Sequence, residues 1–234
     1  MVQRYNRLTR WLHTGTYVLT LFLLFTGWWL WRGEEGNASI VAQWLDLSDI
    51  EAHKSAGWAL GGLLAVGIVL GIRGTVTFVR ETFRANRGDS RWFLRWPVGA
   101  LTGRFAPHRG HFDPGQRILN VAMAGSLGTV IVSGIVLTQL KGGSTFALVT
   151  RTHRYASYVL APLVLGHILV AAGILPGYRG AWRGMHLRGR VRDETVRRLW
   201  PATLDEPAPE DGGHLPPSEA GSPGGDHTKN GARV

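Results

Sequence analysis

Four stretches of the chain are almost wholly apolar, and each is long enough to cross a bilayer. A spanning helix needs roughly 20 largely apolar residues. Trp11–Trp31 contains no Asp, Glu, Lys or Arg, and neither do Ser55–Ile72, Ile118–Leu140 and Tyr155–Leu175. A helix of a soluble core rarely stays uncharged around its whole circumference for that length. The pattern predicts an all-α membrane protein, a four-transmembrane-helix bundle with spans at about 11–31, 53–73, 116–140 and 153–175. The first run is too long for a signal peptide and lacks a small-residue cleavage site. Ile40–Leu47 is predicted to form a short interfacial helix, Val76–Arg87 to continue span two, and Trp92 and Trp96 to lie at the headgroup level. Residues 201–234, rich in Pro, Gly, Glu and Ser, read as a disordered cytoplasmic tail, which leaves 1–200 as the membrane domain. No internal repeat of consistent spacing is visible.

Charge adds a direction. The 234 residues carry 26 Lys+Arg against 16 Asp+Glu, a net charge of +10, and the mean hydropathy is zero. As averages these suggest a basic soluble protein that binds nucleic acid, but no motif supports that. The basic residues are instead sorted by side. The N-terminal tail (Arg4, Arg7, Arg10), the connection between spans two and three, and everything after span four hold 21 of the 26. The opposite side holds Arg32, Lys54, Lys141, Arg151 and Arg154, together with the acidic residues Glu34, Glu35, Asp46, Asp49 and Glu51. The positive-inside rule then puts both termini in the cytoplasm, in a multi-pass protein of the cytoplasmic (inner) membrane. Cysteine is absent, which excludes disulfides, thiolate zinc sites, an iron–sulfur cluster and a cysteine nucleophile on this chain.

The candidate chemistry lies in histidines. Ionisable residues within a bilayer are costly and usually functional. His13 lies near the cytoplasmic end of span one, His53 and His153 enter spans two and four from outside, and His167 follows His153 by 14 residues. Fourteen helical residues turn through roughly 1400° and rise about 21 Å, so His153 and His167 share one face at two depths. His53 is level with His153, and His13 with His167. Two imidazoles opposed across a bundle core fit a bis-histidine haem, which has no open position and suits electron transfer. A zinc site is the main rival, and the lack of Asp, Glu or Cys at either level argues against it. Gly15, Gly57, Gly61, Gly62 and Gly166 either admit a flat macrocycle or simply pack helices closely.

At these residues the sequence resembles the gamma subunit, a cytochrome b, of membrane-bound respiratory formate dehydrogenase, within the wider group of four-helix dihaem cytochromes b. The resemblance runs from about Arg4 to Trp200. It rests on Arg7-x-x-Arg10-x-x-His13, His53-Lys-Ser-Ala-Gly57, Phe112-Asp-Pro-Gly-Gln-Arg117, the His153/His167 pair and Gly180-Ala-Trp-Arg-Gly-Met185. It implies two b-type haems, with iron held by His53/His153 in the outer one and His13/His167 in the inner one. It also implies an iron–sulfur subunit on the outer face, a molybdenum or tungsten catalytic subunit that oxidises formate, and menaquinone or ubiquinone as acceptor. The quinone site it implies is built from Asp113, Gly115, Gln116 and His167, although the family commonly has Asn at the position of Asp113. Asp113-Pro114-x-Gln116 also reads as an N-cap, a proline at N1 and a capping-box residue. Asp113 is expected to cap the helix and, in a sharper reading, to pass protons to the reduced quinone; His108 and His111 are nearby substitutes. Arg7 and Arg10 are candidates for haem propionates. The expected role is thus an electron-transfer subunit with no catalytic residue of its own. The alternatives are the cytochrome b anchor of a nickel–iron hydrogenase or thiosulfate reductase and, in a different class, a non-haem anchor or transporter.

Overall fold

Local sequence sets where the helices begin. In the computed structural model, which describes residues 1–33 and 38–201, α1 (Arg7–Arg32) starts where Asn6 accepts a hydrogen bond from the Thr9 amide and ends at Gly33 in the left-handed region. The short α2 (Ile40–Leu45) is capped by Ser39. A reciprocal capping box of Ser48 and Glu51 opens α3 (Asp49–Leu70). Asp113 and Gln116 form the same device at α6 (Pro114–Gln139), with Pro114 in the first turn. Each such cap is worth about 1 kcal/mol. Glu34 and Glu35 of the acidic side, and the expected tail from Ala202 on, lie outside the described residues.

After Gly71 the chain continues as α4 (Ile72–Thr82), followed by α5 (Asp89–Thr102). The connection from α6 to α7 (Gly143–Ala171) is three residues long, and both Gly142 (φ 139°) and Gly143 (φ 87°) adopt backbone conformations that side chains disfavour. α7 therefore begins ten residues before His153, and Pro162 lies within it. The uncharged run in α7 begins only at Tyr155, because Lys141, Arg151 and Arg154 precede it. A single turn at Pro176–Tyr178 leads to α8 (Arg183–His186) and α9 (Asp193–Leu199).

α3, α6 and α7 are long and apolar enough to cross a membrane. α1 matches them in length and is uncharged from Trp11 to Trp31, but four Trp and four Thr in that stretch lower its hydropathy. α1 packs on α3, α6 packs on α7, and α3 joins the two hairpins through α6. Apart from Pro114 and Arg117 at the start of α6, few residues of these helices are buried: Thr20 and Thr26 in α1, Ala52, Ala56 and Leu60 in α3, Ser133 in α6, Leu160 and Val164 in α7. Apolar side chains face outward instead, as a lipid solvent requires.

The compact apolar core lies at one end, where the arginines gather. Ala100, Tyr178, Val191, Val196, Leu199 and Trp200 cluster there. The N-terminus is tied to this cap by an antiparallel pairing of β1 (Val2–Gln3) with β2 (Arg190–Val191). Arg117, 4% exposed, organises the loop before α6. Its guanidinium donates to the carbonyls of Phe112, Arg84 and Arg109 and to Asp89 Oδ2 at 2.9 Å. Trp92, expected at the headgroup level, is instead buried inside the protein and stacked on Phe105, whereas Trp96 donates to the Tyr178 hydroxyl at 2.9 Å.

Candidate cofactor site in two histidine pairs

The structure brings the four histidines together in two pairs. The His53 and His153 ring centroids are 6.3 Å apart, and those of His13 and His167 are 6.2 Å apart. Each pair draws one ring from the α1/α3 hairpin and one from α7. Along α7 the two tiers are separated by 14 residues. Along α1, 13 residues separate His13 from Thr26, which touches His53. Both intervals correspond to about 20 Å of helix rise.

Hydroxyl groups fix the outer rings. Thr26 Oγ1 donates its proton to the Phe22 carbonyl at 3.0 Å and lies 2.8 Å from His53 Nδ1. Ser133 Oγ donates to the Thr129 carbonyl at 2.5 Å and lies 3.0 Å from His153 Nδ1. An oxygen whose proton is already given to a carbonyl offers only lone pairs, so both Nδ1 atoms carry hydrogen. Both Nε2 atoms are then left as bare lone pairs, the form in which imidazole ligates a metal. The residue after each hydroxyl is glycine. A Cβ on Gly27 or Gly134 would lie 3.2 Å from the Cε1 of His53 or His153, respectively, so each ring rests against a bare backbone.

The pairs fit a haem. Two metal–nitrogen bonds of about 2.0 Å, with each nitrogen about 1.1 Å from its ring centroid, give about 6.2 Å between centroids. The donor set agrees: among the described residues no three His, Cys, Asp or Glu converge on one point, whereas zinc needs three or four protein ligands. A pair of imidazoles suits a metal whose other positions a macrocycle fills. The glycines divide between the two expected roles. A Cβ on Gly15 would meet Leu63 at 2.7 Å and one on Gly61 would meet Ile131 at 3.6 Å, so these two pack helices. At Gly57, Gly62 and Gly166 a Cβ meets nothing within 4 Å, and Gly57 lies one turn from His53.

A family model described as prokaryotic cytochrome b561 matches residues 4–219. The chain belongs to the prokaryotic cytochrome b561 family. No curated protein matches it. As a member of this family it is a membrane cytochrome b, an electron-transfer protein for which b-type haem is the implied cofactor.

In this cytochrome b561 the other expected site residues form a separate group at the start of α6. Asp113 Oδ1 accepts the Gln116 amide at 2.9 Å, and Gln116 Oε1 accepts both the Asp113 amide and the Trp200 indole N–H, the latter at 3.0 Å. Gly115 makes room for Trp92: a Cβ there would lie 2.8 Å from the indole. Asp113 is 4% exposed, and burial raises its carboxyl to about 6 against the opposing pull of the Gln116 and Gly115 amides, Arg117 and Arg4. No hydrogen bond or ring contact joins His167 to this group among the described residues. His108 is pushed down to about 4 by burial and by Arg117 and Arg4, with Asp89 opposing, so it is neutral at physiological pH. The His111 amide donates to Glu81. Arg10 Nε donates to the Met185 carbonyl at 3.0 Å, which docks α8 on α1.

Three contributors escaped the sequence reading. Thr26 and Ser133 are ordinary residues of apolar helices, recognisable only once the folded hairpins place them beside histidines. His186, which directly follows the Gly180–Met185 run, lies 6.4 Å from His13 between centroids, an approach that depends on how the C-terminal segment folds back on α1.

Proposed function

We propose that the chain is the membrane-anchoring cytochrome b subunit of a formate dehydrogenase complex, carrying electrons from an iron–sulfur partner through two stacked haems to a membrane quinone. The observation that carries this reading is the pair of opposed imidazoles at each of two levels, with centroid spacings of 6.3 and 6.2 Å. His53 and His153 would hold the outer haem and His13 and His167 the inner one. A haem bound at either pair would supply a one-electron carrier.

The remaining work belongs to the chain. Thr26 and Ser133 orient the outer ligands through Nδ1. α1, α3, α6 and α7 all span the membrane, with both termini and the arginine-rich end in the cytoplasm. The loops at the opposite end receive the partner. With no cysteine on this chain, an iron–sulfur cluster has to sit on another polypeptide. At the cytoplasmic end, Asp113, Gly115 and Gln116 at the start of α6, with His167 on α7, are the residues the resemblance assigns to the quinone site, where a quinone takes two electrons and two protons to become the quinol. A carboxyl raised to about 6 exchanges protons near neutral pH, which supports Asp113 as their route from the cytoplasm.

The formate donor rests on the likeness around Gly115-Gln116-Arg117. A second reading, the anchor of a nickel–iron hydrogenase, is favoured by the label of the matching family, which refers to nickel hydrogenase. Native membranes separate the two. Formate added anaerobically should reduce the b-haem absorbance. Reduction by hydrogen and not by formate establishes the second reading, and reduction by neither contradicts both donors.

A further inference from the structure

The outer and inner histidines differ in one respect. Both outer Nδ1 atoms have a hydroxyl acceptor, but His13 Nδ1 is buried and has no partner among the described residues. α3, the helix paired with α1, offers no substitute: the residue next to Leu12 there is Gly67. The polar ring on offer comes from outside the spans. His186, the last residue of α8, lies 6.4 Å from His13 at an interplanar angle of 71°. Tyr17, one turn along α1, lies 5.7 Å from His13 and 5.9 Å from His186.

α8 is held firmly in this place. Arg10 binds the Met185 carbonyl. Gly184 fits closely against Tyr5 and Val191, where a Cβ would lie 2.9 Å from Val191. The β1–β2 pairing ties both flanks together. A direct bond between two imidazoles needs centroids about 5 Å apart, so a shift of about 1.4 Å by the exposed His186 ring, or one bridging water, completes the contact.

We infer that His186 is a positioning residue for the inner haem, accepting the hydrogen bond of His13 Nδ1–H as Thr26 and Ser133 do for the outer ligands. This rests on the assignment of His13 as an axial ligand. An acceptor at Nδ1 makes an imidazole a stronger donor to its metal and favours the oxidised state. The C-terminal segment thereby sets the potential at which electrons leave the bundle, although it lies outside the spans.

The test is a redox titration of the purified protein, with both haems followed by absorption and by paramagnetic resonance of the ferric state. His186→Leu should raise the midpoint potential of the inner haem and shift its ferric signal, with the outer haem unchanged as an internal control. His186→Gln keeps an acceptor and should restore most of the wild-type values. Tyr17→Phe should leave both haems as they are. An unaltered inner haem in His186→Leu overturns the inference. So does an equal shift of both haems, or a Gln variant that behaves like Leu. A wild-type protein without two haems contradicts the proposed function itself, and its spectrum is read before any variant is made.

Discussion

Replacing Asp113 by Asn separates the two roles of that side chain. Asn caps a helix about as well as Asp, and its Oδ1 can still accept the Gln116 amide, so the start of α6 survives the change. Only the charge is lost. The folded carboxyl titrates at about 6 against 3.8 in its unperturbed state, a difference of about two units, or about 3 kcal/mol. Because the folded value is raised, the folded protein holds the proton more tightly than the unfolded chain does. That contribution is fully present below pH 3.8 and is lost as pH rises towards about 6. The stability of Asp113→Asn relative to wild type should therefore climb between pH 4 and pH 7 by about 2–3 kcal/mol and then level off. All other groups titrate alike in both proteins, so the difference isolates this one. Thermal unfolding in detergent, followed by circular dichroism at several pH values, measures it. A difference that is flat with pH refutes the argument that the carboxyl is buried with too little compensation. If Asp113 also relays protons, the same variant changes the pH profile of quinone reduction; an unchanged rate and profile leaves it as a cap alone.

Three further outcomes follow from the packing. Thr26→Val removes the acceptor at His53 Nδ1 with little change of shape, so the outer haem should remain bound, its potential should rise and the inner haem should stay unchanged. Arg117→Met strips donors from three carbonyls and leaves Asp89 without its cation, at a cost of about 3–5 kcal/mol; limited proteolysis should then cut within residues 84–112 faster than in the wild type. Gly115→Ala presses a methyl group against Trp92 and should cost about 1–3 kcal/mol in thermal stability. Unchanged unfolding in that variant would mean the indole moves aside freely.

The histidine tiers were legible in the sequence because helix geometry is regular. A 14-residue interval on one uncharged helix fixes both face and depth, and the pairing of His53 with His153 and of His13 with His167 follows from depth alone. The caps were legible for the same reason: Asp113-Pro114-x-Gln116 is local chemistry, and the structure has both of its bonds. What stayed hidden depends on contacts between helices. Thr26-Gly27 beside His53 and Ser133-Gly134 beside His153 are the same device used twice, once in each hairpin. Their separations are 27 and 20 residues, since α1 and α3 are joined through α2 and α6 and α7 by three residues only, so no constant spacing exposes the repetition. Arg117 stands in the sequence as one of many loop arginines, and only the fold shows its guanidinium holding the loop before α6. Trp92 looked like an interfacial anchor because its partner, the bare face of Gly115, is remote in sequence. α7 begins before the expected span of about 153–175, because charges near a helix end break an apolar run without breaking the helix.

The most direct measurement is the haem content of the purified protein, as b-type absorption on dithionite reduction with haem quantified per polypeptide, in wild type, His13→Ala and His153→Ala. Two haems are expected in wild type and one in each variant, the two variants losing spectroscopically different haems. A wild type with one haem or none, or variants that lose the same haem, would contradict it.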